Sequence, residues 1–246
     1  MIADGADIID LGAQSTRPGA NLLTAREEFQ RLKGVIPALI QSYPDIVISI
    51  DTFYADVARQ AIHDGAAIIN DVSAGMMDDK MPDTAAELQV PYVMMHHHGI
   101  PAVKNPDDTG DKTAEVIRFF SEKINALRHA GVSDIILDPG FGFGKNSDQN
   151  LILLNALQQL QMFGLPILVG LSRKKTIQQI LETDSAGSLN GTTVLNTIAL
   201  MNGASMLRVH DVKEAVETVK LFTAMKEVSG KNAGYRAAND LQVTTK

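Results

Sequence analysis

The chain has 246 residues, 45% hydrophobic and 21% charged, which is ordinary globular composition and enough for one large α/β domain or two small ones. A formal net charge of −7 with no long basic block argues against nucleic acid as a partner, while leaving room for a small anion in a local basic pocket. The absence of cysteine excludes disulfides, thiolate metal sites and a cysteine nucleophile; no apolar run reaches the ~20 residues of a membrane span, and Met1–Asp7 does not read as a signal peptide, so a soluble cytoplasmic protein is expected.

The chain opens on what reads as a helix end, Met1–Gly5, and runs straight into an aliphatic stretch, Asp7–Gly12. Thr24-Ala-Arg-Glu27 is a capping-box pattern, and Phe29, Leu32, Ile36, Leu39 and Ile40 follow at helical spacing. Ile46–Asp51, Ala66–Asn70 and Pro91–His96 are further aliphatic runs. Thr113 opens a helix with Val116, Ile117, Phe120, Ile124 and Leu127 facing inward and Gly131 as its stop. Asp134–Asp138, Pro166–Ser172 and Ser205–His210 complete the aliphatic set. Asp211 starts a last helix carrying Val216, Val219 and Leu221–Phe222, and from Ser229 the sequence is polar and aperiodic. This divides the chain into a domain over 1–228 and a polar tail over 229–246, predicted as loop or disorder.

Each aliphatic run is continuous rather than alternating, so both of its faces are buried, as in a parallel sheet. Strands alternating with helices imply βαβ units. No Gly-x-Gly-x-x-Gly follows the first strand, and polar residues end nearly every strand, which favours a (β/α)8 TIM barrel over a doubly wound sheet. Seven runs fall one short of eight, so strand one and its loop are expected upstream of Met1.

The strand ends carry the chemistry. Asp134-Ile-Ile-Leu-Asp-Pro-Gly-Phe-Gly-Phe-Gly-Lys145 stops a strand at Asp138 and opens a glycine-rich loop that lets a ligand approach the backbone closely. Asp51, Asn70 and Asp138 are expected to face one pocket and to pair with the edge of a flat, polar heterocycle. Ala13-Gln-Ser-Thr-Arg-Pro-Gly19 holds a hydroxyl, a cation and a stiffening proline. His96-His-His98 suggests a metal, but no further ligand type clusters nearby in sequence, and solvated histidines at a strand end are the better reading. Gly170-Leu-Ser-Arg-Lys-Lys175 sets three cations at a helix start, where they oppose the dipole unless an anion or polar ligand joins them. Arg208 and His210 share one face of a strand end and suit a phosphate or diphosphate.

As an ordered set these motifs are specific. Asp7–Gly19, Ser49-Ile-Asp-Thr52, Ile69-Asn-Asp71, Met95-His96 with Gly99 and Pro101, Leu137–Lys145, Ser172-Arg-Lys174 and Arg208-Val-His-Asp211 resemble the dihydropteroate synthases, a pterin-binding family of the folate pathway, from Met1 to about Met225. The resemblance implies a barrel that joins 6-hydroxymethyl-7,8-dihydropterin diphosphate to p-aminobenzoate, giving 7,8-dihydropteroate and diphosphate, with Mg2+ assisting. It implies catalytic roles for Asp51, Asp138, Lys174, Arg208 and His210. Asn70, Met95 and Gly170 fall at substrate-binding positions. Thr16, Arg17, Pro18, Phe143 and Ser172 fall at the aminobenzoate pocket, where sulfonamides compete. It also implies a homodimer through the last helices. Two departures stand out. Gln14 replaces a common Glu, and the asparagine that helps hold Mg2+ in the family would lie upstream of Met1. No residue of this chain is therefore expected as a metal ligand, and slow turnover is expected of it. Two alternatives share the barrel: a corrinoid methyltransferase using methyltetrahydrofolate, and a degenerate, inactive pterin-binding protein. The Ser-Arg-Lys and Arg-Val-His motifs weigh against the first, because a methyl donor has no diphosphate to hold.

Overall fold

The computed structural model describes residues 1–15, 21–97, 110–233 and 242–245. Eight strands run in chain order as β1 (Ile8–Leu11), β2 (Val47–Asp51), β3 (Ile68–Asp71), β4 (Tyr92–Met95), β5 (Ile135–Asp138), β6 (Leu168–Val169), β7 (Met206–Val209) and β8 (Gln242–Thr245). Around them lie α1 (Ala25–Leu32), α2 (Val35–Ser42), α3 (Ala55–His63), α4 (Met81–Leu88), α5 (Thr113–Ala130), α6 (Ser147–Asn155), α7 (Lys175–Ile180), α8 (Leu189–Met201) and α9 (Val212–Ala233). The sheet order is β5-β4-β3-β2-β1-β8-β7-β6, every paired neighbour is parallel, and its two edges meet at a single parallel bridge, Leu137 to Ile167. All seven aliphatic runs of the sequence are strands, as in the TIM barrel that composition and order predicted.

The ring is built by two alternating sets of side chains. Ile8, Ile68, Val93, Ile136, Leu168 and Met206, one from each of six strands, form a buried apolar cluster of their own. Their neighbours in sequence, among them Ile69, Met94, Ile135, Leu137 and Leu207, join the large cluster shared with the helices. Period-two alternation explains both: one face fills the barrel and the other seats the helices. Burying each apolar side chain contributes roughly 1.5–3 kcal/mol, which helps offset the cost of collecting polar groups nearby. Two residues along from each plug residue stand Asp10, Asn70, Met95, Asp138, Gly170 and Arg208. The functional layer is therefore the next rung above the apolar plug.

The eighth strand comes from the C-terminal side of the chain. β8 lies between β7 and β1, with Arg208 level with Thr244, and Thr245 level with both Val209 and Ile9. This corrects the expectation of loop beyond Ser229: α9 continues to Ala233, and Gln242–Thr245 pairs on both sides. A four-residue, largely polar strand has too little apolar pattern to be read from sequence. A second correction concerns the helix expected from Thr24 to Ile40. The Thr24–Glu27 capping box is formed, but Gly34 takes a left-handed conformation (φ 78°) and splits the stretch into α1 and α2. Gly131 (φ 99°) stops α5 where predicted.

Candidate active site

The polar rung opens into a cavity of about 390 Å³, including its open mouth, at the C-terminal ends of the strands. Asp51, Asn70, Asp138, Lys174 and Arg208 supply its polar lining, Val72, Met95, Phe141 and Phe143 its apolar lining, and Gly170 leaves space at the rim of β6. Strand register brings these together: Asp51 is level with Asn70, and Met95 with Asp138. A small polar set within an apolar shell is the usual make-up of a small-molecule site.

Arg208 joins the acidic groups. Its Nε donates to Asp10 Oδ2 at 2.7 Å, and its Nη2 lies 2.7 Å from the same oxygen and 3.0 Å from Asp51 Oδ2. Asn70 Nδ2 donates to Asp10 Oδ2 at 3.0 Å. Burial alone would lower the Arg208 pKa, but Asp10 and Asp51 turn the balance and raise it, so the guanidinium stays charged. Burial raises the Asp10 pKa, with Arg208 opposing. Asp10 is the residue that sequence reasoning missed. The signal was present, since a lone carboxylate inside a strand buried on both faces needs a buried donor.

The glycine-rich loop after β5 shapes the floor. Gly140, Gly142 and Gly144 all have positive φ (68°, 80° and 72°). A Cβ on Gly140 would overlap the His96 carbonyl oxygen. Asp138 Oδ1 accepts from the Gly140 N–H at 2.7 Å; burial raises its pKa, while this bond and Lys174 oppose the rise. Lys145 does not reach the cavity. Its buried ammonium donates to the Gly140 carbonyl at 3.0 Å and the His96 carbonyl at 3.5 Å, tying the loop to the end of β4, and burial pushes its pKa down to about 7.

The mouth is formed by β6, β7 and the turns after them. Lys174 Nζ stands 4.5 Å from the centre of the Phe143 ring, a cation–π distance, and lies across from Asp138. Arg173, at positive φ (53°), donates through Nε at 2.9 Å and Nη2 at 2.5 Å to Asp211. The three-cation turn thus divides its tasks: Arg173 has an internal anion, Lys174 faces the cavity, and Lys175 is exposed. The His210 N–H donates to Ser172 Oγ at 3.1 Å and its Nδ1 lies 3.0 Å from the same oxygen. His210 and Ser172 do not line the cavity itself; they stand as an exposed-and-buried pair beside it.

Other expectations resolve as follows. Thr16, Arg17, Pro18, His98, Gly99 and Pro101 lie outside the described residues. Gln14 holds the base of the first loop through Leu23, accepting its N–H at 3.0 Å and donating to its carbonyl at 3.2 Å. The solvated histidines are a correction: His96 and His97 are buried, because side chains of α5 cover the first and the turn after β3 meets the second. His96 sets its edge against Phe119 with its Nε2 3.7 Å from Glu115, and His97 Nε2 lies 3.3 Å from the Ser73 carbonyl. Among the described residues no group of three or more His, Asp or Glu is placed to hold a metal ion. Asp71 serves a turn, accepting from Ser73 N, Gly75 N and the Tyr92 hydroxyl at 2.6–2.7 Å.

The comparisons with known proteins agree with this geometry. The model of the family described as pterin binding enzyme matches residues 1–210. The chain belongs to the pterin binding enzyme family. A dihydropteroate synthase of Synechocystis sp. is 42% identical over 229 residues, covering 92% of this chain and 79% of the relative. One from Escherichia coli K12 is 41% identical, covering 91% and 80%. Among solved structures, the Yersinia pestis dihydropteroate synthase with a sulfonamide drug superposes with a TM-score of 0.85 at 37% identity, covering 92% of this chain and 82% of that one. The Xanthomonas albilineans enzyme with 4-aminobenzoic acid superposes with a TM-score of 0.83 at 38% identity, covering 93% and 81%.

Proposed function

We infer that this chain catalyses the dihydropteroate synthase reaction, a transferase step that condenses 6-hydroxymethyl-7,8-dihydropterin diphosphate with p-aminobenzoate. The observation that carries this reading is the convergence of Asp51, Asn70, Asp138, Lys174 and Arg208 on one cavity with Met95, Phe141 and Phe143 as its apolar walls. The carboxylates of Asp51 and Asp138 and the carbonyl oxygen of Asn70 offer acceptors that fit the N–H-rich edge of a pterin, and the apolar walls fit its faces.

In this reading the pterin lies in the cavity with its diphosphate toward His210 and Ser172 at the mouth. The C–O bond to the diphosphate breaks, and the bonding pair leaves with the diphosphate. Lys174 and His210 meet the charge that develops there. The exocyclic carbon becomes cationic, and the carboxylates of Asp51 and Asp138 stabilise it. The amine of p-aminobenzoate then donates its lone pair to form the C–N bond and releases a proton to water. No covalent enzyme intermediate is required. Arg208 contributes mainly from the inner side, since Nε and Nη2 are engaged by Asp10 and Asp51.

Mg2+ belongs to the proposal only as a companion of the diphosphate, because it keeps several waters and binds through substrate phosphates. The described residues supply no cage that fits it on its own, and no step is derived through it. A homodimer is supported by exposed apolar residues at helical spacing on two adjacent helices, Val194, Ile198 and Met201 on α8 and Leu221, Met225 and Val228 on α9. A cytoplasmic location follows from the substrate, since a diphosphate ester does not cross a bilayer unaided. No described helix is long and apolar enough to span one.

The test is diphosphate release by this chain with both substrates and Mg2+, beside an Asp138→Asn variant. Release that needs both substrates and falls at least about 100-fold in the variant supports the reading. Pterin binding without release would favour the inactive binding protein. Methyl transfer from methyltetrahydrofolate to a corrinoid would favour the methyltransferase.

A further inference from the structure

Asp10 has no task in the reaction just described. It does not line the cavity and is 1% exposed, yet it is the point where Asn70 and Arg208 meet. Its Oδ2 receives Asn70 Nδ2 at 3.0 Å and Arg208 Nε at 2.7 Å. An ionised carboxylate only accepts hydrogen bonds. Asn70 must therefore turn its NH2 toward Asp10, which leaves its carbonyl oxygen for the cavity that Asn70 lines. An amide without such a neighbour is free to flip and to present either end. Arg208 is constrained as well: Asp10 holds Nε, and Nη2 bridges Asp10 to Asp51, so the plane of the guanidinium is fixed.

We propose that Asp10 is a positioning residue that sets the donor–acceptor pattern with which the cavity reads a flat heterocycle, by fixing the Asn70 amide and the plane of Arg208. The proposal rests on the pterin reading of the same site. It adds how that site tells apart heterocycles that differ by a single donor. The layer around Asp10 leaves no substitute, because Asp51 is already committed to Arg208 and Asp138 to the Gly140 N–H.

The experiment compares two ligands, 6-hydroxymethylpterin and 6-hydroxymethyllumazine, whose rings differ where an amino donor is replaced by a carbonyl acceptor. Dissociation constants are measured by ligand fluorescence for the wild-type chain, Asp10→Leu and Asp10→Asn, with thermal melts to establish folding. Asp10→Leu removes the acceptor, whereas Asp10→Asn keeps a carbonyl oxygen for the donors of Asn70 and Arg208 that now meet at Oδ2. The wild type is expected to prefer the pterin. Asp10→Leu should lose that preference by about 10- to 100-fold, the effect of hydrogen bonds to a charged group, and Asp10→Asn should keep most of it. Mere loss of packing would weaken both ligands together and leave their ratio intact, so an unchanged ratio in Asp10→Leu overturns the proposal. A ratio that falls as far in Asp10→Asn overturns it too, as does a wild type that binds the pterin without preference. A wild type that binds neither ligand removes the pterin reading itself, which separates the two failures.

Discussion

Arg208 and Asp10 meet at 2.7 Å although β8 stands between their strands in the sheet. The ion pair crosses inside the ring, above the seat that β8 fills. Two groups on strands that are not neighbours thus depend on a third strand for their spacing. Removing residues 241–246 should leave β1 and β7 with unpaired edges and change the distance this pair spans. The loss of a few ladder hydrogen bonds predicts a destabilisation of roughly 2–3 kcal/mol, or about 5–10 °C in the melting midpoint. Pterin binding should weaken in parallel. A truncated chain with unchanged midpoint and affinity would show that β8 does not support the site.

Gly140→Ala tests the floor of the site. The residue combines positive φ with close approach to the His96 carbonyl, and a methyl group satisfies neither condition. Because Gly140 also donates to Asp138 and accepts from Lys145, the loop must move as a unit. The substitution should lower the midpoint by several degrees and abolish measurable turnover. Gly164→Ala, at positive φ but with no atom near its Cβ position, should cost only about 1 kcal/mol. Equal effects at the two positions would rule out the steric account.

Glu28 provides a pH test. It is buried at the start of α1 beside Gln14, Thr52 and Asp51, and burial pushes its carboxyl up to about 7 from 4.5. Between those values the folded chain holds a proton that the unfolded chain releases, so stability falls as pH rises, and the cost is complete above about pH 7. Glu28→Gln removes it. The variant should exceed the wild type by roughly 1–3 kcal/mol at pH 8 and match it near pH 4. A gain that does not vary with pH would point to packing instead of ionisation.

Leu221, 74% exposed on α9, tests the assembly. Leu221→Glu should convert a dimer into a monomer in sedimentation experiments, with little change in the fold. A wild type that is already monomeric at micromolar concentration would dismiss the proposed interface.

Much of this site was legible before any coordinates. Each of the strands β1–β7 is a continuous aliphatic run, and buried parallel strands have no other way to look. Asp51, Asn70 and Asp138 stood out because polar residues ending such runs have to face something. Asp10 is legible as a polar residue near a strand end but received no role, because Leu11 and Gly12 follow it and nothing local says what it faces. Counting two along from Ile8, as Asn70 follows Ile68 and Asp138 follows Ile136, would have found it. β8 was hidden for a different reason. Its place depends on pairing with strands far away in sequence, and four residues carry too little pattern to announce that. His96 and His97 were misplaced because their burial depends on other elements, α5 for His96 and the turn after β3 for His97, contacts that no local spacing encodes.

The parallel direction of β8 has a practical corollary for anyone handling this molecule. Thr245 is level with Ile9 and Val209, one residue short of Asp10 and His210, so whatever is fused after it emerges on the rim where the diphosphate would dock. An affinity handle belongs ahead of Met1, which leads into β1 from the opposite end of the ring.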